Sequence, residues 1–160
     1  MFLCFMRHGK AEPLARGGQD RDRVLAEQGR KQVEAMAALA KRWWPAGTTH
    51  IWSSPYERAW QSALIMSRQL HCDGVKCHDA LSEGDLPRFY EYVLLPETAD
   101  AVLVVGHEPF LGQWMKDLTG AFLDFKAGSM ALLEYDPSTG TAGQASLLFY
   151  VQPKATILLL

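Results

Sequence analysis

The sequence has little cysteine, no surplus of either charge and no apolar run long enough to cross a bilayer, and each shortage removes a class of protein. Three cysteines in 160 residues, Cys4, Cys72 and Cys77, are an odd number and too few for a disulfide scaffold. Cys4 lies in an apolar run, where a buried reduced thiol is expected, so cysteine usage points to a cytoplasmic, reducing setting. Sixteen Lys and Arg against eighteen Asp and Glu leave a formal charge of −2, and no excess positive field recommends nucleic acid or an anionic membrane as partner. Met1 to Met6 is apolar, but no basic region precedes it and Arg7-His8 ends it, well short of a signal peptide. The longest uncharged stretch, Pro137 to Gln152, is full of Ser, Thr, Gly and Gln, and the apolar tail Ile157 to Leu160 is too short to span a bilayer. That tail is expected to be buried. Internal repeats and low-complexity segments are also missing.

What is present reads as an ordinary globular chain, with 48% hydrophobic, 21% charged and 11% aromatic residues. Its length suits one domain over residues 1–160, large enough to bury roughly 70% of the unfolded surface. Phe2 to Met6 is a short apolar run delivering the polar triplet Arg7-His8-Gly9, the pattern of a buried strand and its exit loop. Residues from Pro13 to Gly18 read as loop. From Glu27 onward Val33, Met36, Ala37, Ala40 and Trp43 recur at spacings of three and four, which predicts an amphipathic helix closed near Pro45.

The same sequence of events follows twice more. His50 to Trp52 predicts a strand that exits through Ser53-Ser54-Pro55 into a helix running to about Leu70, with Pro55 in its first turn, Ser54 as its N-cap and Trp60, Ala63, Leu64 and Ser67 on its inner face. Val75 to His78 suits a short edge strand after an Asp73-Gly74 turn, and Asp85 opens a helix through about Leu95. Ala101 to Val105 is an unbroken apolar run, the candidate central parallel strand, and it exits through Gly106-His107-Glu108-Pro109 into a helix carrying Phe110, Leu111, Trp114 and Leu118. Met130 to Tyr135 and Leu147 to Val151 predict a late hairpin.

Alternating strands and helices imply an α/β fold, a three-layer α/β/α sandwich around a mostly parallel central sheet, whose ligands gather outside the carboxyl ends of the strands. Three polar loops meet that requirement: Arg7-His8-Gly9, Ser53-Ser54-Pro55 with Arg58 a turn later, and Gly106-His107. Two arginines and two histidines at one rim suit phosphate or a similar oxyanion, because guanidinium forks bind its oxygens bidentately and imidazoles can donate or attack. Lys10 and Glu108 adjoin the rim, and Tyr56 and Trp60 border it. His71-Cys72 with Cys77-His78 has residue types that suit zinc, but Cys-x4-Cys is wide and strand alternation sends Cys77 and His78 to opposite faces, so no metal site is assigned. Trp43-Trp44 reads as a core residue beside a partly exposed one.

Arg7-His8-Gly9 followed by Lys10-Ala11-Glu12, the string Ser53-Ser54-Pro55-Tyr56-Glu57-Arg58-Ala59, Gly106-His107 after an apolar strand, and Leu25 and Gly29 with Gln32 together resemble the histidine phosphatase superfamily, of phosphoglycerate-mutase-like fold. They are most similar to its small SixA-type phosphohistidine phosphatases. The resemblance implies a metal-independent phosphatase needing no cofactor, in which His8 is phosphorylated and then freed by water, while Arg7, Arg58, His107 and Gly9 hold the phosphoryl group. A backbone carbonyl near Gly9 would fix the His8 tautomer. Glu83 stands where larger relatives carry a proton-donating acidic loop; Glu12 and Glu108 flank the pocket and could orient imidazoles, and Ser54, Lys10 and Glu108 would form its rim. The expected substrate is phosphohistidine on a protein, the alternatives being a small phosphorylated metabolite or a silent module that binds phosphorylated partners.

Overall fold

A computed structural model describes residues 1–72 and 74–160. Six strands form one sheet in the order β3-β2-β4-β1-β5-β6: β1 (Phe2–Arg7), β2 (Thr49–Ser53), β3 (Lys76–Cys77), β4 (Ala101–Gly106), β5 (Met130–Glu134) and β6 (Ser146–Val151). The pairings β3-β2, β2-β4 and β4-β1 are parallel, whereas β1-β5 and β5-β6 are antiparallel. All six residues of β4 are buried, as a parallel strand covered on both faces requires. Side-chain alternation divides the core. Leu3, Phe5, Val102 and Val104 face the helices α3 (Ala80–Glu83), α4 (Leu86–Phe89) and α5 (Phe110–Thr119), through Leu81, Phe89, Trp114 and Met115. Cys4, Met6, Leu103 and Val105 face α1 (Glu27–Ala40) and α2 (Glu57–Leu70), through Val33, Met36, Ala63 and Met66. The result is the three-layer sandwich expected from the sequence.

Register places the three polar loops side by side. Arg7 is paired with Gly106, and Ser53 with Val105, so β1, β2 and β4 end at one level. The ladder runs on beyond the strands: His8 N–H donates to the Gly106 carbonyl at 3.2 Å and Ser54 N–H to the Val105 carbonyl at 3.0 Å.

Several local expectations are revised. Helix α2 starts at Glu57, so Pro55 precedes its first turn and Tyr56 is the N-cap; Ser54 stands outside the cap because its hydroxyl is drawn to other partners. The inner face of α2 is built from Ala59, Ser62, Ala63 and Met66, leaving Trp60 and Leu64 half-buried, because the small residues let α2 lie close against α1 and the sheet. The helix opened by Asp85, whose carboxylate accepts from Arg88 N–H, passes into a π-helical stretch over Tyr90–Leu94. The edge strand is shortened to the exposed pair Lys76–Cys77, and the turn inferred at Asp73 lies outside the described residues. Trp43 is half-buried like Trp44, its ring 4.6 Å from that of Phe149.

The tail is the largest departure. Ile157 and Leu158 are each 85% exposed on a single-turn helix α6 (Thr156–Leu159). It docks through Thr156, which is buried, and through backbone carbonyls of Leu159 and Leu160 that accept from Arg42. Leu159 reaches only the wall of an apolar groove of about 620 Å³, lined also by Leu39, Trp43 and Phe149. Among the described residues, no helix is long and apolar enough to cross a membrane.

Close backbone contact fixes the His8 loop onto α1. A Cβ on Gly29 would lie 1.9 Å from the Lys10 carbonyl oxygen, and one on Gly9 would lie 2.5 Å from the Gly29 carbonyl oxygen. Lys10 N–H donates to Gln32 Oε1 and Ala26 N–H to the Lys10 carbonyl, so the contact is hydrogen-bonded as well as tight. Ala is preferred to Gly inside a helix by about 1 kcal/mol, but here backbone overlap outweighs that gain. Gly29→Ala is expected to destabilise the fold by at least about 2 kcal/mol; an unchanged urea midpoint would show that the contact is not tight.

Candidate active site

His8 leaves β1 with both ring nitrogens engaged. Nδ1 lies 2.7 Å from the Gly9 carbonyl oxygen, and Arg58 donates its Nε–H to Nε2 at 3.2 Å. A carbonyl accepts only and a guanidinium donates only, so the imidazole is neutral, with its proton on Nδ1 and its lone pair on Nε2. Arg58 comes from the first turn of α2, is buried, and has its guanidinium carbon 5.1 Å from the centre of the Tyr56 ring. One turn later the buried Ser62 hydroxyl accepts from Gly9 N–H at 3.2 Å and donates to the Arg58 carbonyl at 2.7 Å. This ties the helix that carries Arg58 to the loop that carries His8.

His107 leaves β4 with its ring centre 5.0 Å from that of His8 and 5.1 Å from that of Tyr56. Its Nε2 is 2.7 Å from Ser54 Oγ, which also accepts from Tyr56 N–H at 3.2 Å. The strand exit after β2 therefore holds the imidazole of the strand exit after β4. His107 Nδ1 is buried without a hydrogen-bond partner, as is Arg7 Nε, while Arg7 Nη1 donates to the Phe125 carbonyl at 2.7 Å. Buried polar groups without partners cost on the order of 1–3 kcal/mol each and call for a specific explanation. The residues Arg7 and His107 line a cavity of about 380 Å³ together with His8, Lys10, Arg23, Arg58 and Glu108.

Burial, followed by the repulsion of neighbouring positive groups, keeps both imidazoles neutral. His8 is lowered to about 4, chiefly by burial; the Gly9 carbonyl works against this, and Arg58, Arg7 and Arg23 reinforce it. His107 is lowered to about 3 by burial, then by His8 and Arg58. Burial raises Glu108 despite the backbone N–H groups of Phe125 and Gly112 on its oxygens and the nearby Arg7. A neutral imidazole whose Nε2 lone pair is held only by the Arg58 Nε–H, ringed by fixed guanidinium charge, is suited to attack a phosphorus centre once the phosphoryl oxygens take over that donor.

Residues 3–93 match the family model of the histidine phosphatase superfamily (branch 1). The chain belongs to the histidine phosphatase superfamily. Members of this superfamily are phosphatases and act on phosphorylated substrates. An uncharacterized protein of Picosynechococcus sp. is 34% identical over 142 residues, spanning 82% of this chain and 84% of the relative. Among solved structures, the protein histidine phosphatase SixA in complex with tungstate is similar at a TM-score of 0.84 and 24% identity, over 96% of this chain and 98% of that one. A mycobacterial glucosyl-3-phosphoglycerate phosphatase in complex with vanadate is similar at 0.68 and 17% identity, over 92% and 97%. These likenesses establish the phosphoglycerate-mutase-like fold.

Of the residues singled out in the sequence, the structure gathers Arg7, His8, Lys10, Arg58, His107 and Glu108 around this cavity, whereas Gly9, expected to hold phosphate, lies outside its wall with its N–H on Ser62 and its carbonyl on His8. Ser54 sits behind His107 as its hydrogen-bond partner, and Tyr56 flanks both His107 and Arg58. Glu83 is directed elsewhere, paired with Arg88 at 2.8 Å. Neither Glu12 nor Glu108 orients an imidazole: Glu12 offers its carbonyl to Arg23, and Glu108 clamps Phe125 N–H and Gly112 N–H. Trp60 is half-buried and is not part of the cavity wall. His78 accepts from Ala80 N–H and packs edge-on against Trp52 and Phe89; among the described residues no group of three or more metal-ligating side chains assembles.

Sequence reasoning missed Asp20, Arg23 and Ser62. Ser62, four residues after Arg58, was readable as a polar side chain on a helix face otherwise filled by alanines. Asp20 and Arg23 lay in a loop whose dense mixed charge was a signal, but no periodicity gave it a direction.

Folded-state depression of two histidines has a definite sign. Between about 6.5 and 4 the unfolded chain binds protons at His8 and His107 that the folded chain refuses, so stability present above 6.5 is lost as pH falls through that window. The urea midpoint should drop from pH 7 to pH 5, and His8→Gln with His107→Gln should flatten the drop. A midpoint constant across that range, or a slope untouched by the double variant, would contradict the neutral-imidazole assignment.

Proposed function

We propose that this member of the superfamily hydrolyses phosphorylated substrates through a phosphohistidine intermediate on His8 Nε2, with phosphohistidine on a protein as its substrate. One observation carries the reading: a buried, neutral His8, whose Nε2 lone pair accepts only from Arg58, lines a cavity together with the side chains of Arg7, Arg23, Arg58 and His107. In the first step Nε2 gives up its hydrogen bond from Arg58 Nε–H and attacks phosphorus, the N–P bond forms, and the bond to the leaving group breaks with its electron pair. In the second, water attacks phosphorus, the His8–phosphorus bond breaks, His8 regains its lone pair, and inorganic phosphate departs with the proton balance taken up by solvent. Arg7, Arg58 and His107 stabilise the charge that spreads over the equatorial oxygens.

Two features support a phosphohistidine substrate over an alkyl ester. The carboxylates that could protonate an alkoxide are engaged elsewhere, Glu83 by Arg88 and Glu108 by two backbone N–H groups, and an imidazole departs with much less acid assistance than an alkoxide. The likeness to SixA extends over nearly the whole of both chains. Likeness to a sugar-phosphoglycerate phosphatase favours a small phosphorylated metabolite as the second reading.

Rapid-quench labelling with a radiolabelled phosphohistidine protein should place label on His8, stable to alkali and lost in acid. His8→Ala is expected to lower turnover by at least ~10³-fold, and Arg7→Ala or Arg58→Ala to cost about 2.7–4 kcal/mol of transition-state stabilisation each. Faster turnover of sugar phosphates than of the phosphohistidine protein would select the metabolite reading; phosphate binding without turnover would indicate a binding module, and turnover unaffected by His8→Ala would contradict His8 as the nucleophile.

A further inference from the structure

The segment between Ala11 and Leu25, closed at its neck by an antiparallel bridge between those two residues and by Glu12 N–H on the Val24 carbonyl, brings one carboxylate onto Arg58 and Arg23, two residues of the cavity wall. Asp20 takes two donors from Arg58. Its backbone carbonyl accepts from Nη1 at 2.7 Å and its Oδ2 from Nη2 at 3.1 Å. Its other oxygen, Oδ1, accepts from Arg23 Nη1 at 2.9 Å, and Arg23 Nε is tied to the Glu12 carbonyl at 2.8 Å. One side chain thus bridges two of the guanidinium groups that line the cavity.

A guanidinium carries five N–H groups. Arg58 gives one from each terminal nitrogen to Asp20 and its Nε–H to His8, which leaves two to meet an incoming oxyanion. An arginine side chain loses up to about 2 kcal/mol of rotamer freedom when it is fixed. In this arrangement Asp20 fixes it before substrate arrives, so binding does not bear that cost. We propose that Asp20 is a positioning residue of the phosphoryl site, holding Arg58 against His8 Nε2 so that the transferring group meets a guanidinium already in place. The inference rests on the reading of the cavity given under Proposed function.

The alternative role for Asp20, a simple counter-charge, predicts the opposite sign at His8. The groups facing that imidazole are the Gly9 carbonyl, the guanidinium groups of Arg58, Arg7 and Arg23, and the ring edge of His107. Removing a nearby negative charge and nothing else would lower the His8 pKa further. Releasing Arg58 would take away both a positive charge and the N–H that occupies the lone pair, and would raise it.

The experiment is a double-mutant cycle of Asp20→Ala and Arg58→Ala, read by NMR titration of His8 and in parallel by turnover of an aryl phosphate. Asp20→Ala should raise the His8 pKa by about one unit and lower kcat by about 10-fold or more with a much smaller change in KM. In the Arg58→Ala background the same substitution should change either readout by less than about twofold. Asp20→Asn, which keeps one side-chain oxygen acceptor while both variants retain the backbone carbonyl that meets Arg58 Nη1, should give the same signs at smaller amplitude. A His8 pKa that falls or stays put in Asp20→Ala, or an equal cost in both backgrounds, overturns the proposal while leaving the phosphatase reading intact. A wild-type chain without turnover whose His8 titration follows the expected cycle overturns that reading and leaves the Asp20 assignment standing.

Discussion

Arg58 can donate to His8 Nε2 only if that nitrogen holds a lone pair, and His8 Nδ1 can meet the Gly9 carbonyl only if it carries the proton. The two contacts together select one protonation state of the imidazole out of three, and it is the state in which the ring is a nucleophile. Every other feature of the cavity is consistent with maintaining it. Burial makes the charged ring expensive, and the arginines that would grip an oxyanion also repel a proton. Charge that could bind phosphate and a base that could attack it are therefore kept together without the base being quenched.

The fold supplies the geometry through three separate constraints. Parallel register sets His8, Ser54 and His107 at one level of the sheet. Close packing of Gly9 on the Gly29 carbonyl, and of Gly29 on the Lys10 backbone, sets the depth of the His8 loop against α1. Ser62 then fixes that loop to α2, whose first turn delivers Arg58. The match to the histidine phosphatase superfamily spans residues 3–93, and the site draws on that stretch and on His107 beyond it: no two of its imidazoles and arginines other than the adjacent Arg7 and His8 come from one element.

Much of this was legible in the sequence because strand exits are legible. An apolar run that stops at a polar triplet marks both a buried strand and the end of the sheet where ligands gather, so Arg7, His8 and His107 could be grouped without coordinates. Arg58 was reached by counting from Pro55. Helix details were harder: Ser54 has the chemistry of an N-cap, but its hydroxyl serves His107 and Tyr56, and only tertiary contact reveals that preference. Asp20 and Arg23 were invisible for the same reason, since an irregular loop has no period from which direction can be read. The tail misled because apolarity alone does not decide burial: Leu159 reaches the wall of the apolar groove lined by Trp43 and Phe149, while Ile157 and Leu158 on the same single turn stay exposed.

Direct observation of the His8 ring nitrogens by 15N NMR at neutral pH addresses the core of this account. It predicts a proton on Nδ1 and a bare Nε2, unchanged on lowering the pH to 5. A proton on Nε2, or an imidazolium at pH 7, would contradict it.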